Sequence, residues 1–444
     1  MSEAPILRRR TGGRGRERGV VSAPLGRIIN PWSPVEIFDA EQVEEIIGGA
    51  HYVLEKFGME IQSPRALEIF ARNGAIVDRA SGMVRLPKAV VEHFRVLAPQ
   101  KFSLRARNRA RDLQVGGNVL NFGPVGGAPN VADLERGRRY GDLASFEEII
   151  KLNHALGVVH WQGGVVCEPV DVPVAQRHLA MNMAHILHSD QVWQARGVGG
   201  VAAQDSLAMS AIEHGCSLDD LAREPSLMII TNVNSPRRVD EAILDTIMFM
   251  AEHGQCVCIT PFTLMGAMAP ITLPGALVQQ TAEALAIIVL CQMIRAGAPC
   301  ILGGFTSNVD MRTGSPAFGT PENVHATLGG AQLARRLGLP YRSSAVTASP
   351  AVDAQSTYET GFSLMAAIMS HSNLITHAAG WLEGGLVNSY EKIVVDAEML
   401  RSWATMLKPA HYKAEDLALE AIGAVVPGGV ARKIKWRIAQ DHMT

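Results

Sequence analysis

The sequence predicts an α/β protein, a (β/α)8 TIM barrel that carries an N-terminal α+β accessory region. About eight times between residues 118 and 378, a short apolar run ends in a loop rich in Gly, Ser, Asn or Thr. Amphipathic helical sequence follows most of these loops, and such alternation of strand and helix is typical of a parallel barrel. The 444 residues exceed the roughly 250 of a bare barrel, so we expect one barrel with an added region.

Eight segments are candidate barrel strands, because each combines apolar residues with a Gly-rich or polar loop at its downstream end. They are Val119–Phe122, Val158–Cys167, Gln191–Ala195, Leu227–Val233, Cys256–Phe262, Cys300–Phe305, Tyr341–Val346 and Asn373–His377. A parallel barrel gathers all its strand-to-helix loops at one mouth, where substrates bind in essentially every known example. The sequence therefore predicts that functional side chains lie just after these strands.

The chain divides into four predicted segments: a disordered basic tail (1–27), an N-terminal accessory region (28–115), the barrel (116–400) and a C-terminal helical segment (401–444). Helical spacing at 41–57 and 64–73, and a hairpin pattern at Ala75–Leu86, predict the accessory region. Residues Ser103–Val115 alternate basic and apolar side chains, which predicts an extra strand pair with its turn at Gly116 and Gly117.

Start and stop signals mark the barrel helices. Ser145 with Glu148 forms a capping-box pattern, and Gly157 ends the helix that follows. Thr320 followed by Pro321 makes an N-cap and first-turn pair for a later helix. These signals place a helix after the first and the sixth predicted strands, as a barrel requires.

Composition excludes several classes of function. A formal net charge of −2 gives no general attraction to nucleic acid or anionic membrane, so we expect a small molecule or a protein as ligand. The longest uninterrupted apolar stretch, Ala284–Cys291, is far shorter than the roughly 18 residues that span a bilayer. The basic N-terminus lacks the apolar stretch of a signal peptide, and the six cysteines lie mostly inside apolar sequence, as free thiols do in a reducing compartment. We expect a cytoplasmic homo-oligomer with no nucleic-acid or membrane partner.

Serine, phosphate and metal chemistry find little support. No Ser/His/Asp order and no G-x-S-x-G turn appears, so we assign no catalytic residue. Pro124 and Pro129 remove backbone donors from the glycine-rich loop that could otherwise cradle a phosphate. His178, His185 and His188 could share a helical face that ligates zinc, but a surface helix explains them equally well. We therefore expect no metal site.

A cationic ligand makes more sense of the aromatic residues. They are only 5% of the chain, yet many fall at predicted strand ends or mouth loops. An ammonium group over an aromatic face gains on the order of 0.5 to 2 kcal/mol per ring, although core packing explains any single ring as well. A nearby carboxylate would complement the positive charge, unless it caps a helix or pairs with a surface base. The candidate substrate-binding residues are Phe262, Phe305, Tyr358 and Trp381, the amides Asn232, Asn234 and Asn308, the carboxylates Asp310 and Glu383, and the histidines His160 and His377.

Three long motifs resemble the trimethylamine methyltransferase family, especially its members without pyrrolysine, among them glycine betaine methyltransferases. The motifs are Gly126–Leu134 with Gly137–Arg139, Gly303–Arg312 leading to Pro316–Pro321, and His377–Gly385 with Ser389–Lys392. The resemblance covers roughly residues 35 to 428. It implies a barrel that moves a methyl group from a small methylated amine to the cobalt(I) of a separate corrinoid protein. No cofactor is then held tightly by this chain.

The resemblance also narrows the methyl donor. Family members that act on trimethylamine carry pyrrolysine, whereas this chain contains only the ordinary twenty residues, so a quaternary donor such as glycine betaine is expected. A quaternary ammonium leaves as a neutral amine, which requires orientation and desolvation more than a general acid. If the donor has a carboxylate, Asn232, Asn234, Asn308 or His377 would orient it. The basic segment Val430–Thr444 departs from the closing segment of similar proteins.

Two alternatives stay open. The first is a barrel lyase on a carboxylated substrate, which convergent Lys or Arg side chains in the mouth loops would favour, with Arg312 and Lys392 as candidates. The second is a catalytically silent amine-binding protein, which the altered C-terminus makes conceivable. The identity of the amine, the corrinoid protein and the number of subunits do not follow from the sequence.

Overall fold

A computed structural model describes residues 23–410, 412–423 and 427. The chain divides into a compact unit that ends at Leu407 and a second that begins at Lys408. Most of the predicted basic tail and the whole segment Val430–Thr444 lie outside the described residues. In the second unit the described elements are a short 3-10 helix, Ala414–Leu417, and a helical turn, Leu419–Gly423.

All eight predicted strands are present in one curled sheet. They are β1 (Val119–Phe122), β2 (Trp161–Gln162), β3 (Val192–Gln194), β4 (Leu227–Thr231), β5 (Cys256–Ile259), β6 (Cys300–Gly303), β7 (Tyr341–Ser344) and β8 (Leu374–Thr376). Each of β2 to β7 pairs in parallel with the next strand along the chain, and β8 returns to pair in parallel with β1. The predicted alternation and strand order of a parallel barrel are confirmed.

The predicted closure of the barrel needs correction. Within the described residues no ladder joins β1 to β2, and the seam is bridged instead by one backbone hydrogen bond in which His160 N donates to Phe122 O, 2.8 Å away. The reason is local. The antiparallel strand Ile28–Ile29 occupies the free edge of β1, and β2 is only two residues long. The sheet is therefore a curled, open one rather than a closed cylinder.

A helix follows every strand of the sheet. The helices are α1 (Leu143–Leu156), α2 (Val174–His188), α3 (Gly200–His214), α4 (Glu241–Glu252), α5 (Leu273–Ile294), α6 (Pro321–Arg336), α7 (Ala354–Met369) and α8 (Tyr390–Met406), with a short helix, Leu218–Arg223, after α3. Thr320 caps α6 and Gly157 ends α1 in the left-handed conformation, as predicted. The predicted capping box is wrong, because Asp142 is the N-cap of α1 and its side chain accepts from Ser145 N.

The accessory region contains three helices and a small sheet, and its three helices pack against α5. The helices are Ala40–Tyr52, continued by a π-turn at Val53–Phe57, Pro64–Arg72 and Lys88–Arg95, and the strands are Met59–Ile61, Ile76–Asp78, Met83–Arg85 and Arg238–Val239. The predicted hairpin is confirmed. The predicted extra strand pair also exists, as Lys101–Leu104 with Leu113–Gly116, but its turn lies at residues 105–112. Gly116 instead joins the pair to β1, since a positive φ of 108° is required there.

Two small sheets are built from the loops at the mouth. The loop after β1 forms a hairpin, Asn130–Asp133 with Gly137–Tyr140, and the loop after β8 forms Trp381–Leu382 with Val387–Ser389. These two hairpins join into one four-stranded sheet through Val387–Ser389. The loops after β5 and β6 form a second sheet of three strands, Leu264–Met265, Ser307–Val309 and Pro316–Ala317. The mouth loops are therefore ordered by backbone pairing.

The core lies between the sheet and its helices, and α5 contributes more buried residues to it than any other described helix. Fifteen of its 22 residues are buried, and in length and apolar character it would suffice to cross a membrane. Most of this helix is buried within the protein, so it is a core helix of the fold. Five cysteines are buried, Cys216 is half-buried, and all six are free thiols, as the sequence indicated.

Candidate active site

A cavity of about 450 Å³ opens at the carboxyl ends of the strands. Its wall contains Phe305, His377, Trp381 and Asn232, which are four of the predicted site residues. It also contains side chains from β7 and from the loops after β2 and β3: Arg342, Glu168 and Arg196. The volume falls in the range of roughly 300 to 1,000 Å³ that is usual for small-molecule sites.

Two glycines at the end of β6 place Phe305 in this cavity. A methyl group on Gly303 would overlap the Thr260 hydroxyl, and one on Gly304 would overlap the hydroxyl of Tyr341. Only glycine lets the backbone approach its neighbours so closely at these two positions. The strand therefore turns tightly, and the Phe305 ring projects into the mouth.

Phe305 is the centre of an aromatic cluster. Its ring stacks on Phe262 and on Phe318 at centroid distances of 5.2 and 5.1 Å, and it meets the edge of Trp381 at 6.1 Å. The Trp381 indole is only 4% exposed, and its Nε1 donates to Thr347 O at 3.1 Å. The predicted ring residue Phe262 thus supports the cavity wall from behind Phe305. This packing holds the rings rigidly.

His377 follows β8 in a strained backbone conformation. Its φ of 61° is unusual for a residue with a side chain, and the strain is held by backbone hydrogen bonds, in which His377 N and Ala378 N donate to Pro124 O and Gly123 O. The ring lies 4.2 Å from that of Trp381, centroid to centroid. Burial, with the nearby Arg342 charge, holds the pKa of His377 well below its usual value, so the imidazole is neutral at physiological pH.

Arg342 is a buried cation in the wall of the cavity. Only 3% of it is exposed, its Nη2 lies 3.0 Å from His377 Nε2, and its guanidinium carbon lies 5.3 Å from the centroid of Phe305. Burial lowers the pKa of Arg342 to about 10, so it stays charged at neutral pH. Among the residues that the structure describes, no carboxylate forms an ion pair with it, and its Nε has no hydrogen-bond partner.

A second charged group lines the cavity on the side of β2 and β3. Glu168 Oε1 accepts from Arg177 Nη1 at 2.6 Å and from Arg196 Nη1 at 3.2 Å. Both ion pairs are partly shielded from solvent. In contrast to Arg342, these two arginines have a carboxylate partner within the protein.

The other predicted site residues lie outside this cavity, and each has a local partner. Asn234 and Asp240 exchange hydrogen bonds at the start of α4, Asn308 accepts from the Thr320 hydroxyl at 3.1 Å, and Asp310 accepts from Arg312 N within its own turn. Glu383 forms an ion pair with Arg138 at 3.1 Å. The small sheets formed by the mouth loops hold Asn308, Asp310 and Glu383 against these partners, away from the cavity.

His160 and Tyr358 are displaced further. His160 precedes β2, so it lies at the opposite end of the strand from the mouth, where its Nδ1 accepts from Phe122 N and its Nε2 donates to Gly26 O. Tyr358 is 62% exposed on α7 and lines a different surface groove. The sequence-based placement failed for His160 because the predicted second strand, Val158–Cys167, is much longer than the two paired residues of β2.

Arg342 is not among the predicted site residues, because the sequence-based expectation placed functional cations in the mouth loops and Arg342 lies on strand β7. A signal was present. Arg342 is a charged residue inside a predicted strand of the sheet, and such a residue is rarely buried unless it has a partner.

No metal centre is formed by the described part of the chain: no three His, Cys, Asp or Glu side chains there are placed to hold an ion. The three histidines of α2 have separate partners. His178 contacts Asp205 at 2.7 Å, His188 contacts Glu147 at 3.3 Å, and His185 stacks on Trp193. Each is therefore held by a local interaction.

A parallel α/β sheet with a buried aromatic, imidazole and guanidinium cavity at its carboxyl end defines the class of protein as a barrel-like enzyme for a small polar molecule. The chain belongs to the trimethylamine methyltransferase (MTTB) family, whose model matches residues 7–430. The family resemblance seen in the sequence motifs is thus confirmed.

Several relatives align along most of their length. The chain is 36% identical to a glycine betaine methyltransferase of Desulfitobacterium hafniense over 394 residues, which is 88% of this chain and 82% of that protein. It is 27% identical to the L-carnitine:corrinoid methyltransferase of Eubacterium limosum, over 88% of this chain and 82% of that protein. The monomethylamine methyltransferase MtmB of Methanosarcina barkeri has a similar fold, with a TM-score of 0.53 over 85% of this chain and 83% of the other at 10% identity.

Proposed function

We propose that this chain transfers a methyl group from a quaternary amine to the cobalt(I) of a corrinoid that a separate protein carries. The observation that carries the proposal is the mouth cavity of about 450 Å³, walled by Phe305, Trp381 and a neutral His377. Aromatic faces attract a permanent cation, and a cavity of this size suits a small amine. Family membership and the names of the glycine betaine and L-carnitine relatives support the same reaction.

This reaction requires little proton transfer by the protein. The carbon–nitrogen bond breaks, its electron pair stays on nitrogen, and the amine leaves neutral, so no general acid is needed. The residues of this chain contribute orientation and exclusion of water: Trp381, which packs against the ring of Phe305, orients the ammonium group, and the ordered mouth loops limit the access of solvent. A neutral His377 fits this role because it adds no positive charge beside the cation.

The corrinoid is a methyl acceptor that approaches from the open side of the mouth. We infer that the curled sheet works as a (β/α)8 barrel with its seam between β1 and β2, since the loops after both of these strands line the same cavity as Phe305 and Arg342. We further propose that the protein acts in the cytoplasm as a homo-oligomer, with the corrinoid protein as its macromolecular partner. No tightly bound cofactor is required for this role.

The test is methyl transfer in vitro. Purified protein, glycine betaine and a reduced corrinoid protein are mixed, and methylation of cobalt is followed by absorbance. Methylation that needs all three components supports the proposal. Absence of methylation with every quaternary amine tried, although the protein is folded, contradicts it. Binding of the amine without turnover would instead support a catalytically silent amine-binding protein.

Matched variants connect the activity to the cavity. Trp381→Leu removes a cavity ring and is expected to raise KM by about tenfold, from the loss of on the order of 1 kcal/mol of cation–ring attraction plus packing. Tyr358→Leu removes an exposed ring from the groove on α7 and should leave KM unchanged. Thermal melting of both variants controls for unfolding. If the two substitutions change KM equally, the cavity is not the site of the reaction.

One observation bears on the lyase alternative. A lyase would be favoured by several cationic side chains that converge on the cavity, and Arg342 and Arg196 both line it. The predicted candidate Lys392 does not, since it is fully buried in an ion pair with Asp396. The same two arginines also suit a carboxylated methyl donor. Release of product from a carboxylated substrate in the absence of corrinoid would favour the lyase.

A further inference from the structure

More hydrogen-bond donors than acceptors meet at one wall of the cavity. Arg342 has five N–H donors. Its contacts are His377 Nε2 at 3.0 Å and Gly304 O at 3.4 Å, and its Nε has no partner. No carboxylate balances its charge within the part of the chain that the structure describes. A buried charge with no counter-ion is costly, so this guanidinium calls for an anion.

The imidazole next to it increases the surplus of donors. Arg342 Nη2 faces His377 Nε2, and Gly126 N faces His377 Nδ1 at 3.3 Å. A neutral imidazole accepts at one nitrogen only and carries a proton on the other. If Nε2 accepts from Arg342, then the Nδ1–H and the Gly126 N–H are two donors that face each other without an acceptor. The opposite tautomer leaves Arg342 facing an N–H. Buried donors rarely stay unpaired, and an anionic oxygen would resolve the conflict in either case.

We propose that Arg342, with His377 and Gly126 N, binds a carboxylate group of the methyl donor, so that the substrate is a zwitterion of a quaternary ammonium and a carboxylate. The inference rests on the proposed function and deepens it. The cavity volume of about 450 Å³ leaves room for both groups in one small molecule. Bidentate pairing of guanidinium and carboxylate would fix the donor in one orientation.

The position of Arg342 also indicates where the ammonium group of the donor binds. The guanidinium lies over the Phe305 face, so that face is already covered. Glu168, which is the acidic side chain in the described lining of the cavity, lies in the loop after β2, three strands from β7 through the seam. The trimethylammonium group therefore points away from β7, between Trp381 and the wall that carries Glu168. The methyl groups are then presented toward the open mouth.

The direct test compares donors that share the ammonium group. Choline carries a hydroxyl in place of the carboxylate of glycine betaine. In the unmodified protein, methyl transfer from glycine betaine should exceed that from choline by about 100-fold or more in kcat/KM, because a site built for an anion rejects an analogue without one. Arg342→Gln should reduce this ratio to within about tenfold by impairing glycine betaine selectively. Arg138→Gln, which removes a guanidinium that lies outside the cavity and is paired with Glu383, should change the ratio by less than about threefold.

A binding experiment separates this inference from the proposed function. The probe is 3,3-dimethylbutanoate, which has the shape and the carboxylate of glycine betaine but a neutral tert-butyl group that cannot donate a methyl cation. Calorimetry should detect binding to the unmodified protein and its loss in Arg342→Gln, with the melting temperature of both proteins measured beside it. Binding that survives in a folded Arg342→Gln protein overturns the carboxylate site. So does a wild-type protein that uses choline as well as glycine betaine. If the probe binds through Arg342 but no amine is demethylated, the proposed reaction fails and the site stands.

Discussion

Replacing Arg342 by methionine should make the ligand-free protein more stable, although it removes a binding group. Burial lowers the pKa of Arg342 to about 10, well below the usual value of arginine, which disfavours the charged folded form by on the order of 3 kcal/mol. Since the folded pKa of this base is below the unfolded one, the cost is fully present below pH 10 and is relieved only as the pH rises above about 10 toward the usual pKa of arginine. At neutral pH the free enzyme therefore carries it in full.

Methionine keeps most of the apolar stem of Arg342 and removes the charge. The substitution also loses the hydrogen bond to His377 and the stacking over Phe305, which together offset about 1 to 2 kcal/mol. The net expectation is a gain of about 1 to 2 kcal/mol in the free energy of unfolding. Urea denaturation and thermal melting without ligand measure it. Arg196→Met, which breaks a half-exposed pair with Glu168, is the control and should not stabilise.

A lower melting temperature for Arg342→Met would refute the reasoning, because it would mean that the protein itself compensates the guanidinium. Added glycine betaine gives the complementary measurement. It should raise the melting temperature of the unmodified protein and leave that of Arg342→Met unchanged, since only a ligand that binds the folded state stabilises it. The two proteins should thus exchange their order of stability as the ligand concentration rises.

Three further outcomes are expected. Gly304→Ala should raise KM sharply, because the new methyl group overlaps the Tyr341 hydroxyl and displaces Phe305. Adding Tyr341→Phe removes that hydroxyl and should restore part of the lost affinity in steady-state assays. If KM is not restored, the Tyr341 hydroxyl is not the cause of the effect. Lys392→Met should lower the free energy of unfolding by about 3 to 5 kcal/mol, because it strands the buried Asp396 carboxylate, and a loss under 1 kcal/mol in urea titrations would count against this. Burial lowers the pKa of His185 to about 4, so stability should fall as the pH drops from 6.5 toward 4, and a melting temperature that stays flat there would disagree.

Much of the sheet could be predicted from the sequence because each strand is marked by burial. Some strands are buried on both faces, such as β5 (Cys256–Ile259) and β6 (Cys300–Gly303). Their sequences are therefore short apolar runs that end in glycine or polar residues. The order of the strands then follows from the right-handed, sequential connections of a parallel sheet. The open seam was not predictable in this way. It depends on whether Ile28–Ile29 or β2 takes the free edge of β1, which is a competition between distant segments.

The site was less predictable because side-chain direction in the mouth depends on pairing between loops. Phe305, His377 and Trp381 directly follow or adjoin strand ends, and they line the cavity. Asn308 and Glu383 lie as close in sequence, yet the small sheets formed by their loops direct them to Thr320 and Arg138. No local pattern distinguishes these two outcomes, since register between loops is set by residues far apart in the chain.

The least favourable features of the fold coincide with the proposed carboxylate site. His377 adopts a positive φ, Arg342 is a buried cation with no described carboxylate partner, and Gly126 N competes for one imidazole lone pair. Each feature destabilises the free protein, and strain of this kind persists only where the surroundings impose it. A carboxylate would relieve the last two at once, so part of the binding free energy comes from removing a cost already present in the free enzyme. Because the donors are held by the rigid aromatic cluster, they need not reorganise when the substrate enters.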